Sequence, residues 1–93
     1  MAKIKWGKRA VNDLKAIHNY IFPDSQFYAD RYIDKLLSRV DQLESQSKLG
    51  RIVPEKGDST IRELIEGNYR IFYRVYKNDV FILRIHHAAR NIK

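Results

Sequence analysis

The sequence predicts an α+β domain of order β-α-α-β-β-β, a helical hairpin packed on a small antiparallel sheet. Three observations lead there. In the first half, apolar residues recur at intervals of three and four, the period of one helix face. From residue 61 onward the period drops to two, and β-rich runs are separated by short turns holding Gly, Asn or Asp. The length of 93 residues suits a single domain, 1–93, that buries about two-thirds of its unfolded surface.

The elements follow in order. Lys3–Trp6 alternates polar and apolar residues and reads as a short strand that Gly7 breaks. Over Lys8–Phe22, residues Ala10, Val11, Leu14, Ile17 and Ile21 make one stripe, so an amphipathic helix is expected. Pro23 ends it, because proline disfavours helical geometry in the residue before it. Asp24 or Ser25 can cap a second helix by accepting from its free N–H groups. Ala29, Ile33, Leu36, Val40 and Leu43 line one side of that helix, with Leu37 beside them. So short a link between the two makes a hairpin.

Gly50 closes the helical half, and Arg51–Thr60, with Pro54, Gly57 and Asp58, reads as a loop. Ile61–Ile65 is a strand, Glu66-Gly67-Asn68 a turn, and Tyr69–Tyr76 (YRIFYRVY) the clearest strand of the chain. Lys77-Asn78-Asp79 is a turn before a last strand, Val80–His87. The hairpin covers one face of this meander and leaves the other face free.

Charge and composition narrow the function. Eighteen Lys and Arg against eleven Asp and Glu give a net charge of +7 and a pI near 9.8, which points to a polyanion or an acidic protein as partner. The absence of cysteine excludes disulfides, thiolate zinc sites and a cysteine nucleophile. The first residues, MAKIKWGKRA, lack the apolar centre of a signal peptide, and no apolar run approaches the ~20 residues of a membrane span. A soluble, cytoplasmic protein with no membrane partner is expected.

The chemistry concentrates in Ile82–Arg90, ILRIHHAAR. Adjacent residues of a strand face opposite sides, so His86 and His87 are poorly placed to chelate one metal. No metal and no cofactor are expected. On the strand Tyr69–Tyr76, residues Tyr69, Ile71, Tyr73 and Val75 face one way, and Arg70, Phe72, Arg74 and Tyr76 the other. A two-residue turn at Asn78-Asp79 would pair Lys77 with Val80, Phe72 with Ile85 and Arg70 with His87, leaving Arg90 just past the strand end. Arginine forks match phosphate oxygens and histidine exchanges a proton near neutral pH, so such a cluster could bind and cleave an RNA phosphodiester. Surface arginines flanking a strand, with His87 half-buried, would give the same letters, and the residues alone leave both readings open.

The ordered combination of a DLKAI helix, a YAD-opened second helix, GRIVPE, IRELIEGNYRIFYRV and ILRIHHAAR resembles the RelE/ParE superfamily of bacterial toxins. The resemblance spans essentially the whole chain. It implies the toxin of a type II toxin–antitoxin module, held inactive by a cognate antitoxin that lies over the helical hairpin and across the basic sheet surface. RelE-like members cut mRNA on the ribosome without a metal, leaving a 2′,3′-cyclic phosphate, whereas ParE-like members poison DNA gyrase. Arg70 falls where RelE-like nucleases carry a strand arginine, and Arg90 where RelE has one after its last strand. Glu55 is similar to the general base of YoeB-like members and His87 to their C-terminal histidine. The resemblance therefore implies an mRNA endonuclease in which Glu55 takes the 2′-hydroxyl proton, Arg70 and Arg90 hold the phosphate and His87 protonates the 5′-oxygen. The alternatives it implies are a gyrase inhibitor and an inactive homologue that only binds its antitoxin. Two departures stand out. Lys56 is the lysine near the middle loop, where RelE has lysines, and Ala88 and Ala89 occupy the region where nucleases often place a tyrosine. The HHAAR ending also resembles chains known only as plasmid stabilisation proteins.

Overall fold

The structure is a computed structural model and describes residues 2–88. A short strand β1 (Ile4–Trp6) leads into helix α1 (Lys8–Ile21) and helix α2 (Gln26–Asp41), which a 3-10 turn at Gln42–Glu44 extends. Strand β2 (Arg51–Ile52), a 3-10 turn at Pro54–Lys56, and strands β3 (Ile61–Glu66), β4 (Tyr69–Tyr76) and β5 (Asp79–His87) follow. The sheet has five strands in the order β1-β5-β4-β3-β2.

Both edges of the sheet differ from expectation. β1 pairs parallel with β5 through Ile4↔Val80, Lys5↔Phe81 and Trp6↔Ile82, so the sheet is mixed and not purely antiparallel. A parallel neighbour needs a crossover of a dozen or more residues, and here the helices lie on the path from β1 back to the sheet. β2 is a two-residue strand inside the stretch read as loop, too short to carry a period.

The helices arise as their stripes dictate. Ser25 caps α2 by accepting from the Tyr28 amide at 3.1 Å. Ala10 and Ile17 of α1, and Leu36 and Val40 of α2, close with Leu43 over Leu64, Ile71, Tyr73, Val80, Ile82 and Ile85 of the sheet. Gly50 sits where no side chain fits, because a Cβ there would come within 2.7 Å of the Tyr73 hydroxyl. That hydroxyl accepts from the Gly50 amide at 2.8 Å, which fixes where β2 begins.

The β4–β5 pairing departs from the expected register in two steps. Tyr76 pairs with Asp79, so the turn is Lys77-Asn78, one residue earlier than expected. Both turn residues have positive φ, 49° and 66°, the backbone of a type I′ hairpin turn. That step alone would preserve the faces. The second step is a β-bulge: Tyr73 pairs with Ile82 and Phe72 with Arg84, which leaves Leu83 unpaired in the ladder. Beyond the bulge the faces exchange. Arg70 pairs with His86 and Tyr69 with His87, which replaces the expected pairs Arg70–His87 and Phe72–Ile85.

Candidate active site

The face of the sheet opposite the helices carries the charged cluster. β4 presents Arg70 and Phe72 there, as its alternation predicts. This face is only partly free. Val53 is fully buried and packs with Ile61, Phe72 and Leu83 into a second, smaller core, so the loop after β2 folds across the sheet. Val53 also ties its amide to the Ile61 carbonyl at 3.3 Å. The turn that begins at Pro54 then carries Glu55 over β4.

Arg70 lies at the centre. Its Nη2 donates to Glu55 Oε2 at 3.1 Å and its Nε to Glu63 Oε1 at 2.5 Å. Glu63 accepts a second bond, from Arg51 Nε to Oε2 at 2.7 Å. The outcome is a chain of alternating charge, Glu55–Arg70–Glu63–Arg51. Phe72 is its floor: the Arg70 guanidinium lies 4.9 Å from the ring centroid, the His86 ring meets it edge-on at 5.7 Å, and Lys56 Nζ reaches to 6.0 Å.

The carboxylates are tuned down. The backbone amide of Glu55 and the Arg70 guanidinium hold the exposed Glu55 carboxyl below its ordinary range. Burial alone would raise Glu63, but the hydrogen bonds from Arg70 and Arg51 outweigh it and the net direction is down. Both are therefore carboxylates at neutral pH. Glu63 in turn pushes the Arg70 pKa up, so that guanidinium stays charged.

The structure brings together two of the four residues expected from the sequence, Glu55 and Arg70. His87 is exposed and stands on the helix side of the sheet, its ring 5.4 Å from that of Tyr69. It lines a cavity of about 580 Å³ with Ile17, Tyr20 and Tyr32. The histidine sharing a face with Arg70 is His86, because the bulge at Leu83 exchanges the two. Arg90 lies outside the described residues. Lys56 does reach the site, over Phe72.

Sequence reasoning missed three residues. Glu63 was readable as the one charged residue in the alternating series Ile61, Glu63, Ile65 of β3. Arg51 fell in a stretch read as loop. Asp13, on the polar side of α1, takes a bidentate pair from Arg84 at 2.9 and 3.1 Å and the Ile85 amide at 2.8 Å. It pins the first helix to β5 beside the bulge. Among the described residues, no three His, Cys, Asp or Glu lie where they could hold a metal ion, and no helix is long and apolar enough to cross a membrane.

Similarity to known proteins agrees with the fold. The family model described as "ParE toxin of type II toxin-antitoxin system, parDE" matches residues 4–92. The chain is 36% identical over 92 residues to Toxin RelE3 of Caulobacter vibrioides, covering 95% of this chain and 96% of that one. It is 38% identical over 91 residues to Toxin RelE2 of the same organism, covering 97% and 99%. Among solved structures, a chain of the chromosomal ParDE system from P. aeruginosa superposes with a TM-score of 0.76 at 24% identity, over 94% of this chain and 96% of that one. A chain of the RelBE2 toxin–antitoxin complex from Mycobacterium tuberculosis does so with 0.70 at 18% identity, over 92% and 96%. At these identities the structural matches speak to the fold alone.

Proposed function

The chain belongs to the family of ParE toxins of type II toxin–antitoxin systems, and on that premise we propose that it arrests growth as a RelE-like, ribosome-dependent mRNA endonuclease working without a metal. It is the toxin of such a module, and an antitoxin is its partner. The finer reading rests on one observation, the exposed Glu55 carboxylate on the outward edge of Arg70.

The chemistry follows from that pair. An RNA phosphate approaching Arg70 competes with Glu55 for the Nη edge. Glu55 gives way, because an exposed ion pair is held weakly. Once off the guanidinium it loses part of what depresses its pKa and becomes the stronger base. It takes the proton of the 2′-hydroxyl, O2′ attacks phosphorus, and the P–O5′ bond breaks. Arg70 stabilises the charge gathering on the non-bridging oxygens. A proton must reach the departing O5′; both ring nitrogens of His86, the histidine on this face, are buried against the sheet, so water delivers that proton and the role expected of His87 falls to neither histidine. The products are a 2′,3′-cyclic phosphate and a 5′-hydroxyl.

The gyrase reading has its own support. The matching family model is that of ParE toxins, and an arginine braced by two carboxylates can serve structure alone.

Primer extension on mRNA after brief induction, with plasmid supercoiling measured in the same cells, separates the two. Arg70→Ala is a poor probe, because it strips a partner from buried Glu63 and costs about 2–3 kcal/mol of stability. Glu55→Gln is a better one, since Glu55 is exposed. We expect it to lower cleavage at least 100-fold with an unchanged melting temperature. His87→Ala should leave cleavage unchanged, because that ring stands on the helix side of the sheet. Intact mRNA together with relaxed plasmid would dismiss the nuclease in favour of gyrase.

A further inference from the structure

One carboxylate of the site has no role in the chemistry above. The Glu63 side chain is fully buried, on the face that no helix covers. Compared with apolar residues of the same shape, an ion triad of this kind adds little stability, because the cost of removing charges from water offsets their attraction. Its effect is geometric. Glu63 Oε1 holds the Nε edge of Arg70 and Oε2 holds the Nε edge of Arg51. Each guanidinium is thus gripped on one side and offers its Nη groups on the other.

The two arginines are gripped alike but differ in exposure, Arg70 being only 12% exposed. Arg51 stands opposite Glu63 across the β2–β3 pair, and its side chain is 65% exposed. Arg70 comes from β4, on the other side of β3, and its Nη2 donates to the exposed carboxylate of Glu55. The two arginines hold the two oxygens of one carboxylate, so their guanidinium groups lie side by side.

We infer that Arg51 and Arg70 form a two-arginine clamp for a phosphodiester of single-stranded RNA, with buried Glu63 as the positioning residue both share. The identity of the ligand rests on the nuclease reading; the clamp itself rests on the Arg51–Glu63–Arg70 geometry. Guanidinium forks match phosphate oxygens in pairs of parallel N–H···O bonds. The two carboxylates differ in how they respond. Glu55 is exposed and yields its place to phosphate, whereas Glu63 is buried and stays. The phosphate therefore replaces one negative charge of the chain without dismantling the support beneath it.

The test uses the isolated chain and a 2′-O-methyl RNA trinucleotide, which cannot be cleaved. The Nε–H resonances of Arg51 and Arg70 are followed by NMR during titration. Both should shift together with one apparent affinity. Arg51→Ala also takes a partner from buried Glu63, so it should lower the melting temperature but stay folded, weaken binding about tenfold and reduce the salt slope of log Kd by about one. Arg51→Lys should recover the salt slope but only part of the affinity, because it restores charge without the fork. Glu63→Gln should weaken binding by a similar factor while both arginines remain. Binding that leaves the Arg51 resonance unmoved, or that survives Arg51→Ala unchanged, would overturn the clamp. The nuclease reading fails separately. Trinucleotide binding through both arginines with no mRNA cleavage in cells leaves the clamp standing and removes the enzyme. Wild-type cleavage by Arg51→Ala does the reverse.

Discussion

At the scale of single residues, two buried or half-buried carboxylates set how the protein answers acid. Asp13 and Glu63 behave alike: burial would raise each pKa, yet Arg84 and the Ile85 amide for the first, and Arg70 and Arg51 for the second, bring it below the ordinary carboxylate range. A carboxyl with a lower pKa folded than unfolded stabilises the fold above its unfolded pKa. That stabilisation is lost as pH falls through the folded pKa. The contribution is therefore complete at pH 7 and fades from about pH 4.5 downward. Urea unfolding should find Asp13→Asn less stable than wild type by about 1–3 kcal/mol at pH 7, with the gap closing toward pH 3. A gap that widens in acid would reverse this account. The same residues mark a limit of sequence reading. Asp13 is 71 positions from Arg84, and only the closed fold makes them neighbours. Glu63 stood in plain view as a charge in an apolar series, yet its partners come from two other strands.

At the scale of elements, regular periods were legible and irregularities were not. The stripes of α1 and α2 and the two faces of β4 lie as their spacing dictates, because burial of one face selects the period directly. β2, two residues long, and the bulge at Leu83 have no period to show. Nor does the turn type, since Lys77 is an ordinary residue held at positive φ. A left-handed conformation costs a residue with a Cβ about 1 kcal/mol, less for asparagine and least for glycine. Lys77→Asn combined with Asn78→Gly should therefore stabilise the β4–β5 hairpin by about 0.5–1 kcal/mol, read as a raised urea midpoint with an unchanged slope. Destabilisation would mean that the Lys77 contact with the Tyr76 ring, at 5.5 Å, outweighs backbone strain.

At the scale of the whole molecule, the first strand closes onto the last. Gly7 donates to the Ile82 carbonyl at 2.9 Å, the Val80 amide to the Lys3 carbonyl at 2.8 Å, and Lys5 pairs with Asp79 at 3.3 Å. This pairing could not be read from the sequence, because a three-residue strand fits several partners equally well. Trp6, the only tryptophan, sits in it and reports on the closure. If the chain unfolds as one unit, Trp6 fluorescence and far-UV circular dichroism should lose their native signals at the same urea concentration. Earlier loss at Trp6 would make β1 a separate, weaker piece. The positive charge, by contrast, was fully legible, and on the outer face it is organised by carboxylates into the Arg51–Glu63–Arg70 chain.

The bulge at Leu83 also bears on descent. One residue gained or lost in β5 trades the places of His86 and His87, with both letters kept. Two relatives with the same histidine doublet can thus show opposite members of it to a substrate. Kinship traced through matching letters near that doublet follows the spelling, while selection acts on whichever ring faces Arg70.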